Sequence, residues 1–492
     1  MKSKTSWGER AMKTLSSTTG MTVFPLTRFA ASLHRTRTGV KGPCLPRNRS
    51  CAPQTGRITR TTADSRGGLG GRGRGGRGGG RMGGVSSPTK TVPDTARLGF
   101  RRNLLRPADA ERADRVTYIE LFFDLIFILA LTQLSRYLYE NQSWVGALES
   151  AILVLAFWWV WIYTTWVTNW LDPVRLPVRG VIIGLALVGL VMSTSIYESF
   201  GDRGLVFAIA YVSLQLGRTA FMVLALARHD RALHRTFVRM LVWLSVAAVL
   251  WILGALLPLG FRLPLWILAI AIEYLSASLA FRVPGMGKAA VDDWDLSGPH
   301  IAERSALFVI IALGESFLVT GFAFVAQSIS VAGVLGMLLA FVSGVAMWWL
   351  YFDHGERAGS RAIASAEAPG RIARLAYTYV HAVLIAGIVL VSVADKEVLE
   401  HPDAAMSLST AVTIVGGPLL YLVGLLLFRR VVARELLVSH LTGVAALLVV
   451  FAFAFQVSPL LLGAMTTAVL VTVAAWETIL RVRTGTDEPE AG

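Results

Sequence analysis

The fold is decided by apolar stretches such as VGALESAILVLAFWWVWIYTTWV, which occupies residues 145–167. Glu149 is the one charged residue in it. Wound as an α-helix, a stretch of this length spans about 35 Å, because each residue adds about 1.5 Å. The hydrocarbon core of a bilayer is about 30 Å thick. The stretch is therefore long enough to cross a membrane as one helix.

Similar stretches fill the chain after residue 115. We count twelve, near residues 117–139, 145–167, 179–198, 204–227, 237–258, 263–281, 301–324, 331–352, 372–394, 409–428, 435–455 and 460–480. They are apolar on nearly every face, whereas helices of soluble proteins keep a polar face toward water. Only 16% of all residues are charged, against about a quarter in soluble domains. The sequence thus predicts an all-α polytopic membrane protein with about twelve transmembrane helices.

The first 115 residues differ from this body in composition. Residues 1–100 contain 19 Lys or Arg against three acids, a charge of +16, and so account for the whole chain's net charge of +15. Residues 67–84 are almost entirely Gly and Arg, a composition that cannot bury enough apolar surface to fold. We predict a disordered basic tail over residues 1–115 and a short disordered C-terminus over residues 484–492. Because the body is nearly neutral, we expect no nucleic acid binding from it.

The spans resemble one another at an interval of six. ALTQ at residues 130–133 in the first span corresponds to ALGE at residues 312–315 in the seventh, and tryptophan-rich runs end both the second and the eighth. Since six is even, two such halves have the same orientation, as in transporters built from parallel repeats. We predict a first six-helix half over residues 116–282, a cytoplasmic linker over residues 283–300 and a second half over residues 301–483.

The basic residues of the loops predict the orientation. One alternating set of loops has fifteen Lys or Arg in or beside it, and the other set has four. Basic loops stay on the cytoplasmic side. We therefore expect a cytoplasmic-membrane protein with both termini in the cytoplasm and with membrane lipids as its partners.

Several motifs resemble those of a known family. They include ELFFDLIF at residues 120–127, QLGR at residues 215–218, FRVPG at residues 281–285 and ALGES at residues 312–316. In this order they resemble the bacterial low temperature requirement protein A (LtrA) family over roughly residues 115–480. The resemblance implies a multi-pass membrane protein linked by its family name to growth in the cold. It implies no particular biochemical activity, so function must be argued from the residues.

Four ionisable residues are expected in a central charged layer. At about 1.5 Å per residue, Asp124, Arg218, Glu273 and His381 lie roughly 10–15 Å from the arginine-rich ends of their spans. Charges at that depth are costly and commonly line a cavity or an ion path. The alternative is structural: Arg218 would neutralise Asp124 or Glu273 in a fixed ion pair, and His381 would be a neutral buried side chain.

Further polar residues are expected to form an access or proton path toward that layer. Glu120 lies one helical turn from Asp124, so both carboxylates share a helix face and could exchange a proton. Glu303 is expected near the inner membrane face. Gln133 and Glu315 are expected nearer the outer face.

A metal site is a weaker alternative. His300, Glu303, Asp353 and His354 supply nitrogen and oxygen ligands near the inner face. The sequence has no HExxH motif, and both of its cysteines lie in the tail. We therefore expect no cofactor and no enzymatic activity.

Two functions are compatible with these patterns. The first, which we prefer, is a secondary transporter or a proton- or ion-coupled permease for an unknown small solute or ion. The second is a non-transporting membrane scaffold or sensor in cold or stress adaptation, whose charged residues only hold helices together.

Overall fold

The computed structural model confirms an all-helical protein. It describes residues 103–106, 116–289, 297–356, 373–434 and 436–484, and within these ranges there is no β-strand. The α-helices are α1 (Tyr118–Glu140), α2 (Trp144–Trp170), α3 (Leu176–Ser195), α4 (Gly204–Leu226), α5 (Arg231–Leu256), α6 (Leu259–Ser278), α7 (Gly298–Val325), α8 (Val331–Trp349), α9 (His381–Glu400), α10 (Leu408–Val432), α11 (Val438–Ala452) and α12 (Pro459–Thr484). Two π-helical segments, Leu350–Glu356 and Ala373–Val380, extend α8 and lead into α9.

Eleven helices of the described chain are long and apolar enough to cross a membrane, counting these π-helical extensions. The exception is α11, whose 15 residues cover about 22 Å, although the sequence predicts a span over residues 435–455. It starts late because Arg434 adopts a left-handed backbone conformation (φ 59°) and the helix begins only after Leu437. The prediction of a polytopic helical membrane protein is confirmed, with one helix shorter than expected.

The predicted tail falls largely outside the described residues, as do residues 290–296 of the predicted linker. Of residues 1–115 only 103–106 are described, and there Leu105 forms an isolated β-bridge with Leu171. Gly298 begins α7 inside the segment predicted as linker. Thr484 ends α12, and the rest of the predicted C-terminal tail lies outside the described ranges.

Helix packing repeats between α1–α6 and α7–α12. In both sets the first helix packs against the second and third, and the third against the fourth. The fourth then packs against the fifth, the fifth against the sixth, and the sixth returns to the second. The two six-helix halves predicted from the sequence are therefore present as two similarly packed units.

The two halves meet through a small group of helices. From the first half α1 and α2 contribute, and both pack against α7 and α9 of the second. The tryptophan-rich helix α2 is central to this interface, because Trp158, Trp159 and Trp161 have no exposed surface.

Within the second half, α9 and α10 approach each other closely. A Cβ on Gly387 would lie 2.8 Å from the backbone nitrogen of Tyr421, and one on Gly417 would lie 2.8 Å from that of Val391. Backbone atoms cannot rotate away, so both positions require glycine. In lipid, close packing of this kind is a main source of attraction between helices.

We expect Gly387→Ala to lower the free energy of unfolding by about 1–3 kcal/mol, the usual cost of overpacking an interior. The matched control is Gly184→Ala in α3, where a Cβ would meet no atom within 4 Å. Thermal unfolding in detergent measures both. Equal midpoints for the two variants would contradict the close packing of α9 on α10.

Candidate functional site

A buried ion pair joins the two halves. Arg304 on α7 places Nη2 2.7 Å from Asp124 Oδ1, and its Nε 3.3 Å from Oδ2, with Asp124 on α1. Neither residue has exposed surface. The Trp161 indole donates to Oδ1 at 2.8 Å, and Arg304 Nη1 donates to the Thr168 hydroxyl at 2.6 Å. The two charges are thus matched and hydrogen-bonded, as a buried pair requires.

Glu120 extends this pair toward the arginine-rich end of the helices. Its Oε1 lies 3.7 Å from Arg304 Nη1 and accepts a hydrogen bond from Arg106 Nη2 at 3.1 Å. The backbone N–H and the hydroxyl of Thr117 donate to Oε2 at 2.9 and 2.7 Å. Glu120 therefore also satisfies the start of α1, in the manner of a capping box.

His300 is held in one orientation beside Glu120. Asn169 donates through Nδ2 to the Ser297 carbonyl at 2.9 Å and accepts the Ser297 N–H at 3.0 Å, which fixes the direction of its amide. Nδ2 also faces His300 Nδ1 at 3.2 Å, so Nδ1 is the acceptor. The other ring nitrogen, Nε2, then carries the hydrogen and donates to Glu120 Oε1 at 3.1 Å. Arg106 Nη2 also lies 3.1 Å from Nε2, and because both nitrogens are then donors, Glu120 Oε1 is the acceptor that they share.

Arg218 lies in a separate buried group. It donates through Nη1 to the Val160 carbonyl and the Thr164 hydroxyl, both at 3.0 Å, and through Nη2 to Gln215. Its Nε has no hydrogen-bond partner among the described residues. The guanidinium carbon lies 5.3 Å from the centroid of the Tyr163 ring.

Glu273 is connected to Arg218 only through Gln215. Its carboxylate accepts from Tyr211 Oη at 2.5 Å, from Trp251 Nε1 at 3.0 Å and from Gln215 Nε2 at 3.2 Å. Within the described ranges, no carboxylate lies within ion-pair distance of Arg218. The structure therefore pairs Asp124 with Arg304 and leaves Arg218 with neutral partners.

His381 is fixed at the start of α9, away from both groups. Its Nδ1 lies 2.8 Å from the Ala376 carbonyl, which can only accept, so Nδ1 carries the hydrogen. The Tyr351 hydroxyl then donates to Nε2 at 2.8 Å. The ring stacks on Tyr377, with centroids 4.8 Å apart. Both nitrogens of this buried imidazole are thus satisfied by neutral groups.

The residues expected along an access path differ from one another in burial and in hydrogen-bond partners. Glu303 is exposed and accepts the Val116 N–H at 3.2 Å. Gln133 is half-buried on α1. Glu315 is buried on α7: the Ser135 hydroxyl donates to its Oε1 at 2.9 Å, whereas Oε2 has no hydrogen-bond partner in the described parts of the chain.

The candidate metal ligands have different partners. His300 contacts Glu120 and Asn169, whereas Asp353 lies 2.8 Å from Arg481. The His354 side chain lies outside the described residues. No group of three or more His, Cys, Asp or Glu side chains that could hold a metal ion occurs among the side chains described.

The sequence did contain a signal for the pairing of α1 with α7, but it is seen only when the two helices are compared with each other. Glu120 and Asp124 lie one turn apart on α1, and His300 and Arg304 lie one turn apart on α7. In the structure Glu120 pairs with His300, and Asp124 pairs with Arg304 one helical turn further along. Asp395, which lines a small space between helices of the second half, was not among the predicted residues. The predicted ninth span ended at residue 394, whereas α9 continues to Glu400.

A cavity of about 700 Å³ lies between the halves, toward the end opposite the arginine-rich loops. Residues of α1, α2 and α6 line it from one half, and residues of α9 and α10 from the other. It extends from Trp144 and Leu408, where α2 and α10 begin, to Tyr274 and Tyr379. Its α10 lining runs from Leu408 to Leu420, or about 18 Å of helix. The surface is mostly apolar.

We expect Asp124→Leu to destabilise the protein by about 3–5 kcal/mol, because Arg304 would lose its hydrogen-bonded partner and keep only the more distant Glu120 carboxylate, 3.7 Å away. The double variant Asp124→Leu/Arg304→Met should be markedly more stable than Asp124→Leu, since both charges are then removed. Thermal unfolding in detergent measures the difference.

The control for this pair is Arg136→Gln, which breaks the Arg136–Glu140 pair (2.9 Å) at a position where the Arg136 side chain is 53% exposed. Little change is expected there, because solvent screens exposed pairs. A double variant less stable than Asp124→Leu would show that Asp124 does not stabilise the protein through its ion pair with Arg304.

Comparison with known proteins agrees with this architecture. The sequence profile described as "Bacterial low temperature requirement A protein (LtrA)" matches residues 115–475. The uncharacterized protein RA0937 of Rhizobium meliloti (strain 1021) is 36% identical over 364 residues, which cover 74% of this chain and 89% of that protein. No solved structure matches the chain. The chain therefore belongs to the bacterial low temperature requirement A family.

Proposed function

We propose that the protein is a membrane transporter that carries a largely apolar or amphipathic molecule between its two halves. The observation that carries the proposal is the cavity of about 700 Å³ at their interface. Small-molecule sites commonly measure about 300–1,000 Å³ and are lined mainly by apolar side chains. Transporters built from repeats bind their substrates between the repeats.

A few polar groups are available to orient such a molecule. Ser150 lines the cavity, is 5% exposed, and its hydroxyl has no hydrogen-bond partner among the described residues. At the far end, the Tyr274 hydroxyl donates to the Leu155 carbonyl at 3.1 Å, and the Tyr379 hydroxyl lies 3.1 Å from that of Ser278. A ligand with one small polar group and an apolar body fits this lining better than a charged solute does.

The buried ion pair supports access from one side at a time. Asp124 and Arg304 close the contact of α1 with α7 on the arginine-rich side of the cavity. The cavity instead begins at the opposite ends of α2 and α10. Alternating access requires the closed side to open in a second conformation, so the Asp124–Arg304 contact is the element that would have to rearrange.

A scaffold or sensor is the second candidate, and a specific observation favours it. Asp124 and Glu120 have all their charge matched by Arg304, Arg106 and hydrogen-bond donors. A charged layer that is already satisfied needs no ion or substrate. This function predicts that the cavity holds only membrane lipid and that the protein moves nothing.

Filling the cavity distinguishes these functions. Ala386 lines it from α9, and Ala386→Trp should reduce movement of an amphipathic molecule at least severalfold. The probe is a short-chain lipid labelled with a nitrobenzoxadiazole dye in proteoliposomes, and dithionite bleaches only the outward-facing probe. Faster loss of the protected fraction with protein than without it measures movement.

The matched control is Ala468→Trp, at an exposed position of α12 outside the cavity lining. It should move the probe as the unaltered protein does. If the unaltered protein leaves the protected fraction at the level of protein-free vesicles, transport of this molecular class is excluded and the scaffold hypothesis gains.

We also infer that the protein lies in the cytoplasmic membrane with both termini in the cytoplasm, on the basis of its arginine-rich loops. Cys44 and Cys51, the only cysteines, should then resist a membrane-impermeant maleimide in intact spheroplasts. In a cysteine-free background, Asp403→Cys in the exposed loop between α9 and α10 should be labelled. The reverse pattern would mean the opposite orientation.

A further inference from the structure

A second, much smaller chamber lies inside the second half. It measures about 20 Å³ and is lined by residues of α8, α9, α10 and α12. A volume of roughly 10–15 Å³ is enough for one water molecule. The chamber thus has room for one water or one small ion, and it is separate from the cavity between the halves.

Asp395 supplies the charge of this chamber. Asp395 lines the space from α9, and the Ser316 hydroxyl on α7 donates to its Oδ2 at 3.4 Å. No Lys, Arg or His pairs with Asp395 within the described parts of the chain. The adjacent Lys396 lies 3.9 Å from Glu400 and 3.9 Å above the Tyr139 ring. A carboxylate within a membrane usually has a partner or serves an ion path, and the protein provides no cation for this one.

Neutral oxygen atoms surround the carboxylate. Ser343, Thr466 and Thr467 line the chamber and are 3–6% exposed. The Thr466 hydroxyl donates to the Gly463 carbonyl at 3.0 Å, which leaves its oxygen lone pairs available. Ser343 and Thr467 have no hydrogen-bond partner among the described residues. Two hydroxyls without a partner among the described residues therefore lie on almost fully buried residues that border the same space as Asp395.

A backbone carbonyl is available as well. Pro418 lies within α10 and has no N–H, so the Ile414 carbonyl lacks its usual helical donor. Both residues line the chamber. Carbonyls released from helical hydrogen bonding coordinate sodium ions in other repeat transporters.

We propose that this chamber binds a sodium ion, with Asp395 as the anionic ligand and the hydroxyls of Ser343 and Thr467 among the neutral ligands. One carboxylate balances one positive charge. Calcium takes six to eight oxygens and commonly several carboxylates, and magnesium retains several waters, whereas this chamber measures about 20 Å³ and has one carboxylate among its described lining residues. Binding of the ion does not require that the protein transports anything, so it stands apart from the proposed function.

The test is thermal unfolding of the purified full-length protein in detergent, at one pH and constant ionic strength, with NaCl replacing choline chloride. A ligand that binds only the folded state raises the midpoint in a saturable manner. We expect such a rise with NaCl and none with KCl. Asp395→Asn should abolish the dependence on NaCl, whereas Asp403→Asn, at an exposed loop position, should retain it.

Ser343→Ala provides a second test that does not remove a charge. It should move the response to severalfold higher NaCl concentrations while leaving the midpoint at saturation close to that of the unaltered protein. The proposal is overturned if the unaltered protein unfolds at the same temperature in NaCl, KCl and choline chloride. It is equally overturned if Asp395→Asn keeps the full response, or, should that variant not fold, if Ser343→Ala responds at unchanged NaCl concentrations.

Discussion

The buried contact between Asp124 and Arg304 is the constraint on which the rest of the arrangement depends. Either charge alone would be costly within a membrane, and each is fully buried. Because they lie on α1 and α7, the first helices of the two halves, both are satisfied only when the halves are docked. Glu120 and His300 repeat the match one turn away. The packing of α2 on α7 and α9, and the cavity beside it, follow from that docking.

The repeat explains why α1 and α7 face each other. The sequence difference between the two halves explains why their side chains are complementary. The ALTQ and ALGE motifs place α1 and α7 at an offset of 182 residues. At that offset Asp124 corresponds to Ala306, and Arg304 corresponds to Phe122. If α7 had the same sequence as α1, acidic side chains from both helices would lie at the contact between the two halves. Acids on one copy and bases on the other make equivalent helices complementary, so the halves share their backbone packing but not their chemistry.

Hydropathy was sufficient to predict the helices, because a membrane span must be apolar over a fixed length, although one of the twelve predicted spans is too short to cross. The two halves were predicted from repeated motifs such as ALTQ and ALGE. Loop charge adds a prediction of orientation by the same kind of local rule. Partners could not be predicted in this way. Asp124 finds Arg304 at a separation of 180 residues, and Arg218, an obvious candidate by depth, contacts neutral groups instead. Depth in the membrane can be counted along one helix, but which faces meet depends on packing between helices.

The helix that can connect ion binding with the cavity is α9. Five residues between 382 and 390 line the cavity, and four residues between 391 and 398 line the small chamber proposed to bind sodium. Gly387 and Gly417 hold α9 against α10 backbone to backbone, so a movement of α9 must take α10 with it or break that contact. In the proposed site, a cation beside Asp395 would balance the charge of this half-buried carboxylate and favour the conformation in which chamber and cavity are both formed. Because coupling between binding sites is reciprocal, a molecule that bound the cavity in this same conformation would strengthen cation binding by the same factor.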